Sequence, residues 1–321
     1  MTTAITGISD AMSDVLALVR MHGEFVCVNE YSAPWSFSFT RPIAQFHIVE
    51  HGSASIIVDG ASPTRIETGD LAILPLGAGH VLSSDPDLEP TPIEAAIAAT
   101  AAREDNIYRM GGGGEQTHVV CGRFSFAGVL APKLLAVLPP LLHIRAEAGR
   151  PLEWLRLTAQ FLVEETRRPK PGSAVMVARL LDVLFVQAVR VWGEKSSTNR
   201  GWLTGLTDAQ IGRALSAMHE RPGHDWTVES LADLAGLSRA AFAARFTEAV
   251  GTPPLKYLAG WRLDLAADHL LAGRSKIMEI ATLVGYGSEA ALNRAFKAQF
   301  GTTPAAFRKN GGRPITEQPK S

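Results

Sequence analysis

Apolar and polar positions change rhythm along this chain. Up to about Phe126, short apolar runs rich in β-branched residues are separated by turn signals. Gln45–Val49, Ser55–Val58 and Leu71–Leu74 are three such runs, and Val119–Phe126 is a later one. Runs of this length between turn residues predict strands. Asp59-Gly60 predicts a hairpin turn, and Gly52, Gly69-Asp70 and Gly77 mark further turns. Ile93–Ala102 is alanine-rich and loosely helical, and the glycine run Gly111–Gly114 follows it. This stretch is expected to be an insertion between strands, with the glycines as a flexible linker. No Gly-Lys-Ser/Thr and no capped helix follows them, as a phosphate cradle would need.

From Pro132 to Trp192 the period becomes helical. Leu152, Leu155, Ala159, Leu162 and Val163 recur at helical spacing, as do Val177, Leu180, Leu181, Leu184, Phe185 and Ala188. Pro169–Gly172 separates the two sets, which predicts an α-hairpin over Pro151–Trp192. It either packs on the strands or forms a dimer interface. Gly193–Gly205 is polar and aperiodic, and reads as an interdomain linker.

The C-terminal third contains a repeat. Leu231-Ala232-Asp233-Leu234-Ala235-Gly236-Leu237-Ser238 is followed by Phe242, Phe246, Gly251 and Pro254. Ile280-Ala281-Thr282-Leu283-Val284-Gly285-Tyr286-Gly287-Ser288 is followed by Leu292, Phe296, Gly301 and Pro304. From the serines onward the two copies keep a 50-residue offset. In each copy a short apolar-faced helix ends at a glycine, which tolerates the left-handed conformation that stops a helix. Ser238 or Ser288 then suits the N-cap of the next helix. The i, i+4 pairs Phe242/Phe246 and Leu292/Phe296 face inward. The opposite face is free to enter a major groove, and Asn293, Arg294 and Lys297 on the second helix suit DNA. Pro254–Ala272 reads as one continuous helix between the units. At ~1.5 Å per residue it spans roughly 27 Å, the scale that holds two reading helices about one DNA turn apart, ~34 Å. From Gly205 onward the chain carries 14 Lys and Arg against 11 Asp and Glu, although the whole chain has a net charge of −1. A basic reading half is compatible with phosphate contact.

These motifs resemble the AraC/XylS family of transcription regulators over about Ile211–Lys309. Trp226-Thr227-Val228-Glu229-Ser230-Leu231-Ala232 opens the match, and Arg294-Ala295-Phe296-Lys297 with Phe300-Gly301-Thr302-Thr303-Pro304 closes it. The resemblance implies two DNA-reading helices, Ser238–Val250 and Ser288–Phe300. It implies groove-facing positions Arg239, Ala240, Ala243 and Ala244 in the first, and Glu289, Ala290, Asn293 and Arg294 in the second. Ala244 stands where the family often has arginine, and Leu292 where it often has phenylalanine. Alanines can touch thymine methyls but make no bidentate base contacts. The first helix is therefore expected to specify sequence less sharply than the second.

The strand-rich half resembles a cupin, the small β-barrel this family often uses as a sensor. Gly69-Asp70 and Pro75-Leu76-Gly77-Ala78-Gly79-His80 match the second cupin motif. The first is partial: His47 is present, but Val49 stands where metal-binding cupins carry a second histidine. His47 and His80 would face the barrel interior, and Cys121 lies on a late strand that could reach the same cavity. Imidazole plus thiolate suits zinc or another divalent ion at His47, His80 and Cys121. Cys27 and Cys121, the only cysteines, could instead form a redox pair, or be buried and inert.

Two cysteines are too few for a secreted disulfide scaffold. There is no signal-peptide pattern and no uncharged apolar stretch long enough to span a bilayer, so a cytoplasmic protein without membrane partners is expected. The expected fold class is α+β. Residues 1–130 form a cupin-like sensor, 131–195 a helical hairpin for dimerisation, and 206–311 a double helix-turn-helix domain. The expected function is sequence-specific transcription regulation, with no catalytic residues. The partners are double-stranded DNA, a second copy of the chain, an effector and, for an activator, RNA polymerase. The competing class is a metal-dependent cupin enzyme, which needs a full ligand set and an acid or base.

Overall fold

Ala44–Val49 are all buried, and a strand covered on both faces shows no alternation of apolar with polar. These residues open β3 (Ala44–His51), the third strand of a six-stranded sheet. In the computed structural model this sheet runs β11 (Leu142–Ile144), β6 (Leu71–Leu74), β3, β10 (Gln116–Ala127), β1 (Arg20–Ser32), β9 (Ile107–Gly111). A five-stranded sheet runs β5 (Thr64–Glu67), β4 (Ser53–Val58), β7 (His80–Ser83), β2 (Ser36–Phe39), β8 (Thr91–Pro92). The structure describes residues 11–40, 42–59, 61–100, 106–147, 152–195, 208–273 and 275–312. Gly60 of the expected hairpin turn, Pro151 and most of the expected linker lie outside them.

The two sheets share one core. Tyr31, Val49, Leu74, Val119 and Cys121 of the first meet Phe37, Phe39, Ile56, Ile66 and Leu82 of the second. The residues alternating with these on the larger sheet, among them Phe46 and Phe124, point to its other face. There α4 (Glu153–Arg167) and α5 (Ser173–Lys195) follow as the expected hairpin. Phe185 of α5 lies 5.9 Å from Phe124 and 5.1 Å from Phe126, ring centre to ring centre. The approach of β10 to its neighbours is close. A Cβ at Gly122 would stand 2.3 Å from the Phe46 ring and 2.6 Å from the Phe25 carbonyl oxygen.

Ile93–Ala99 forms α2, as its pattern predicts. The glycine run differs from expectation. Instead of a flexible linker it is a turn tied by backbone hydrogen bonds, Gly112 N–H to the Ser32 carbonyl and Gly114 N–H to that of Ala33. Glycine is required because a Cβ at Gly111 would collide with the Ser32 backbone.

The chain divides into two compact units. One holds residues 21–127 and 134–192, so the hairpin belongs with the strands. The other holds 1–20, 128–133 and 193–321. In the second unit α1 (Ala11–Leu18) places Ala11 in the core that α6 (Ala209–Glu220), α7 (Val228–Ala235) and α8 (Arg239–Val250) build around Phe242 and Phe246. A further core around Phe296 is built by α10 (Ile277–Leu283), α11 (Glu289–Phe300) and α12 (Pro304–Lys309). Helix α9 (Pro254–Ala272) serves both: Leu258 sits in the first core, and Leu263, Ala266 and Leu270 in the second. Asp264 of α9 is 3% exposed, yet both its oxygens accept from Lys133 Nζ and one from Gln299. No helix among the described residues is long and apolar enough to cross a membrane.

Gly122→Ala is expected to destabilise the protein by about 1–3 kcal/mol or more, because backbone and a buried ring must both give way. Urea unfolding would show this as a lower midpoint.

Candidate nucleic-acid interface and sensor site

The two helix pairs of the C-terminal repeat are shaped by local backbone chemistry. Thr227 caps α7 in a reciprocal box with Ser230, and Gly236 ends it in the left-handed region at φ 67°. The Ser238 hydroxyl accepts the Ala241 N–H and so starts α8. In the second copy Gly285 has φ 85°, and the Ser288 hydroxyl accepts the Ala291 N–H to start α11. Each cap satisfies a donor that the helix itself leaves unpaired.

Ser238, Arg239, Ala240 and Ala244 of the first unit are exposed and Ala243 is half-buried. In the second, Ala290, Arg294 and Lys297 are exposed, and Ser288, Glu289 and Asn293 are half-buried. The two faces differ electrically. Arg239 pairs with Glu229 at 2.8 Å. Arg245, an exposed residue of α8 that the sequence reading passed over, pairs with Asp208 at 2.7 Å and donates to the Gln210 side chain. Burial raises the Asp208 carboxyl, but hydrogen bonds from Ile211, Gln210 and Arg245 outweigh it and hold the group below its usual range. Among the described residues Arg294 and Lys297 have no ion-pair partner, so their charge is free for an incoming phosphate or base edge. The net result is an alanine-rich, neutralised α8 face and a cationic α11 face.

In the strand unit the sheets bring the predicted sensor residues together. His47 is wholly buried and His80 nearly so. They form a line. Cys121 Sγ lies 3.1 Å from His47 Nδ1, His47 Nε2 lies 2.8 Å from His80 Nε2, and His80 Nδ1 lies 3.2 Å from the Ala78 carbonyl oxygen. The carbonyl can only accept, which assigns the protons: His80 Nδ1–H donates to it, His47 Nε2–H donates to His80, and the Cys121 S–H donates to His47. Phe39 stacks on His80 at 4.6 Å between ring centres. Burial, with His80 as a like neighbour, lowers His47 well below 6.5, and burial lowers His80 to about 4, so both rings are neutral at pH 7.

Cys27 of β1 approaches Cys121 of the neighbouring β10, and Tyr31 and Asn29 lie close to Cys121 as well. Burial raises the Cys121 thiol well above its ordinary value, and the contacts with Cys27 raise it further. Asn29 Nδ2 donates to Cys27 Sγ at 3.4 Å and to the Val119 carbonyl at 3.1 Å. Cys27 is half-buried and Cys121 buried, and both line a cleft of about 220 Å³ with Phe25, Phe39, Ile93 and Ile97. The sequence reading did not single out Asn29 and Tyr31. The signal was present: Cys27, Asn29 and Tyr31 alternate along one strand and so share a face. Cys121 and His80 stand on opposite ring nitrogens of His47, so a single ion does not meet all three. Among the described residues no group of three His, Cys, Asp or Glu is placed to hold a metal.

A two-sheet unit followed by two capped helix-turn-helix pairs on one shared helix defines a DNA-binding regulator of transcription. Residues 10–194 match the cupin family and residues 231–310 the helix-turn-helix domain family. An AraC-like transcription regulator of Streptomyces lividans is 35% identical over 94% of this chain and 98% of its own length. The transcriptional regulator AlkR of Acinetobacter baylyi is 31% identical over 94% and 99%. The RCS-specific transcriptional activator RclR of Escherichia coli is 31% identical over 83% and 84%. Among solved structures, the DNA-binding domain of AdpA in complex with a target DNA is 31% identical, covering 32% of this chain and 95% of its own, with a TM-score of 0.30. The chain belongs to the AraC-type transcription regulators that carry an N-terminal cupin domain.

Two outcomes follow. Arg294→Ala should weaken operator binding by about 1–3 kcal/mol, while Arg65→Ala on exposed β5 leaves it unchanged; fluorescence anisotropy with operator DNA measures both. Below pH 6.5 an unfolded chain protonates imidazoles whose protonation the folded chain opposes by burial, His47, His80 and His219 among them. Stability is therefore full above about pH 6.5 and falls as the pH drops toward 4. Urea midpoints from pH 7.5 to 4.5 should track this fall, and His80→Asn should flatten it.

Proposed function

We propose that this regulator senses oxidants through Cys27 and Cys121 and converts their oxidation into a change in DNA affinity. One observation carries the reading: the only two thiols of the chain, 94 positions apart in sequence, meet at a cleft that admits small molecules. Neighbouring strands offer the short Cα separation that a disulfide needs. The linear order of Cys121, His47 and His80 favours the thiol pair over a shared zinc ion. It also favours a sensor over a catalytic cupin, since such an enzyme needs ligands that converge on one metal. We assign reading of the major groove to α8 and α11. Ala240, Ala243 and Ala244 supply apolar contact there, and Asn293, Arg294 and Lys297 supply polar and charged contact. A protein of this kind acts in the cytoplasm, where bacterial DNA lies, and as an activator it would touch RNA polymerase.

A homodimer is the second part of the proposal. Leu157 and Phe161 of α4 and Val175, Met176 and Val183 of α5 are exposed, which is more apolar surface than a hairpin packed on one side needs. Sedimentation at micromolar concentration should give a dimer, and Phe161→Glu with Val183→Glu should shift it to monomer.

The sensor reading is tested with Cys27→Ser and Cys121→Ser in the full-length protein. Wild-type DNA affinity should change on treatment with hydrogen peroxide, and neither variant should respond. Loss in Cys121→Ser alone, with stoichiometric zinc in the wild type, would replace the redox reading with a metal site. Unaltered responses in both variants would remove the cysteines from sensing.

A further inference from the structure

The line of hydrogen bonds behind Cys121 runs in one direction, toward the Ala78 carbonyl. The Cys121 S–H is the sole hydrogen between that sulfur and His47 Nδ1. Each ring then passes its own N–H onward, and the line ends on the Ala78 carbonyl in the turn between β6 and β7. That turn has little slack. Gly77 has φ +65°, and a Cβ there would lie 2.6 Å from the Ile43 nitrogen, so the turn rests directly on the backbone that leads into β3.

We propose that the line Cys121–His47–His80–Ala78 transmits the oxidation state of the thiol pair to this turn, with His47 and His80 as positioning residues. The proposal rests on the reading of Cys27 and Cys121 as an oxidisable pair. The chemistry is as follows. A hydroperoxide oxidises the half-buried Cys27: the O–O bond breaks, the sulfur becomes a sulfenic acid, and an alcohol, or water from hydrogen peroxide, leaves. The Cys121 sulfur then attacks the Cys27 sulfur. An S–S bond forms, the S–O bond breaks, the Cys121 proton passes to His47 Nδ1, and hydroxide leaves into the cleft.

A disulfide has no hydrogen to donate, so the wholly buried His47 Nδ1 would face it unpaired without that proton. An unpaired buried polar atom is unfavourable. The pairing can be restored if both rings switch tautomers. The Cys121 proton then sits on His47 Nδ1 facing the disulfide, the His47 Nε2 proton has passed to His80 Nε2, and the His80 Nδ1 proton is released to solvent, where it meets the hydroxide as water. His80 Nδ1 is left with a lone pair facing the Ala78 oxygen. Two acceptors repel, and the hydrogen bond that holds the turn is released. The far end of the line thus changes although the thiol pair touches none of it. Phe39, stacked on His80 and also lining the cysteine cleft, is carried along with the ring.

The test uses full-length protein with ¹⁵N-labelled histidine, reduced and then treated with hydrogen peroxide. Imidazole nitrogen shifts report the tautomers, mass spectrometry the loss of two hydrogens, and anisotropy the affinity for operator DNA. In the reduced wild type His80 is expected as the Nδ1–H tautomer, and in the disulfide form as the Nε2–H tautomer, with affinity altered about tenfold or more. His47→Asn keeps an acceptor near Cys121 but does not reach His80. It should still form the disulfide while its DNA affinity changes less than about twofold. A His80 tautomer that stays the same in the wild-type disulfide overturns the proposal, and this holds even if the variant does not fold. A folded His47→Asn that responds like wild type also overturns it, leaving the thiol pair as a sensor with another route outward. A wild type that forms no disulfide overturns the sensor reading and this proposal with it.

Discussion

The hydrogen bond from His80 Nδ1 to the Ala78 carbonyl fixes the direction of every proton behind it. A carbonyl cannot donate, so His80 must face His47 with a lone pair, and His47 must in turn face Cys121 with one. Burial then makes the order costly to break, because both imidazoles are shut off from bulk solvent. The same requirement shapes the surroundings. Phe39 shields one imidazole, and Asn29 and Tyr31 supply donors beside the thiols.

Much of the DNA-binding half was legible in the sequence because its rules are local. A glycine that must be left-handed, a serine that must cap and a pair of apolar residues four apart all lie within a dozen positions. Gly236, Ser238, Phe242 and Phe246 have the expected roles, as do Ser288, Leu292 and Phe296. Less legible was the charge state of each reading face. The pairing of Arg245 with Asp208 spans 37 positions and depends on how α6 lies beside α8. No periodicity encodes such a contact.

In the strand half the balance is different. The apolar runs at β3, β4 and β6 stood out, whereas β1 and β7 mix polar and apolar residues too freely to be marked by pattern alone, and β2 alternates strictly but over only four residues. His47, His80 and Cys121 could be singled out by motif and residue type. Their order in space, a line and not a triangle, follows from the pairing of β3 with β10 and from the apposition of the two sheets. The glycine run shows the limit of composition. Gly111–Gly114 has the make-up of a loose tether, yet its amides are fastened to Ser32 and Ala33, because glycine allows close backbone approach as readily as it allows motion.

Helix α9 belongs to two cores at once, with Leu258 in one and Leu263 in the other only five residues further on. A bend between them would open one core or the other, so α8 and α11, to which we assign groove reading, behave like the jaws of a locked calliper. Such an instrument tolerates a poor fit at either jaw far better than a wrong gap. Its genomic targets are then free to drift base by base over evolutionary time. If both helices are seated as assigned, an inserted or deleted base between their two grooves rotates one of them out of reach in a single event. The grammar this protein imposes on a promoter is one of distance before spelling.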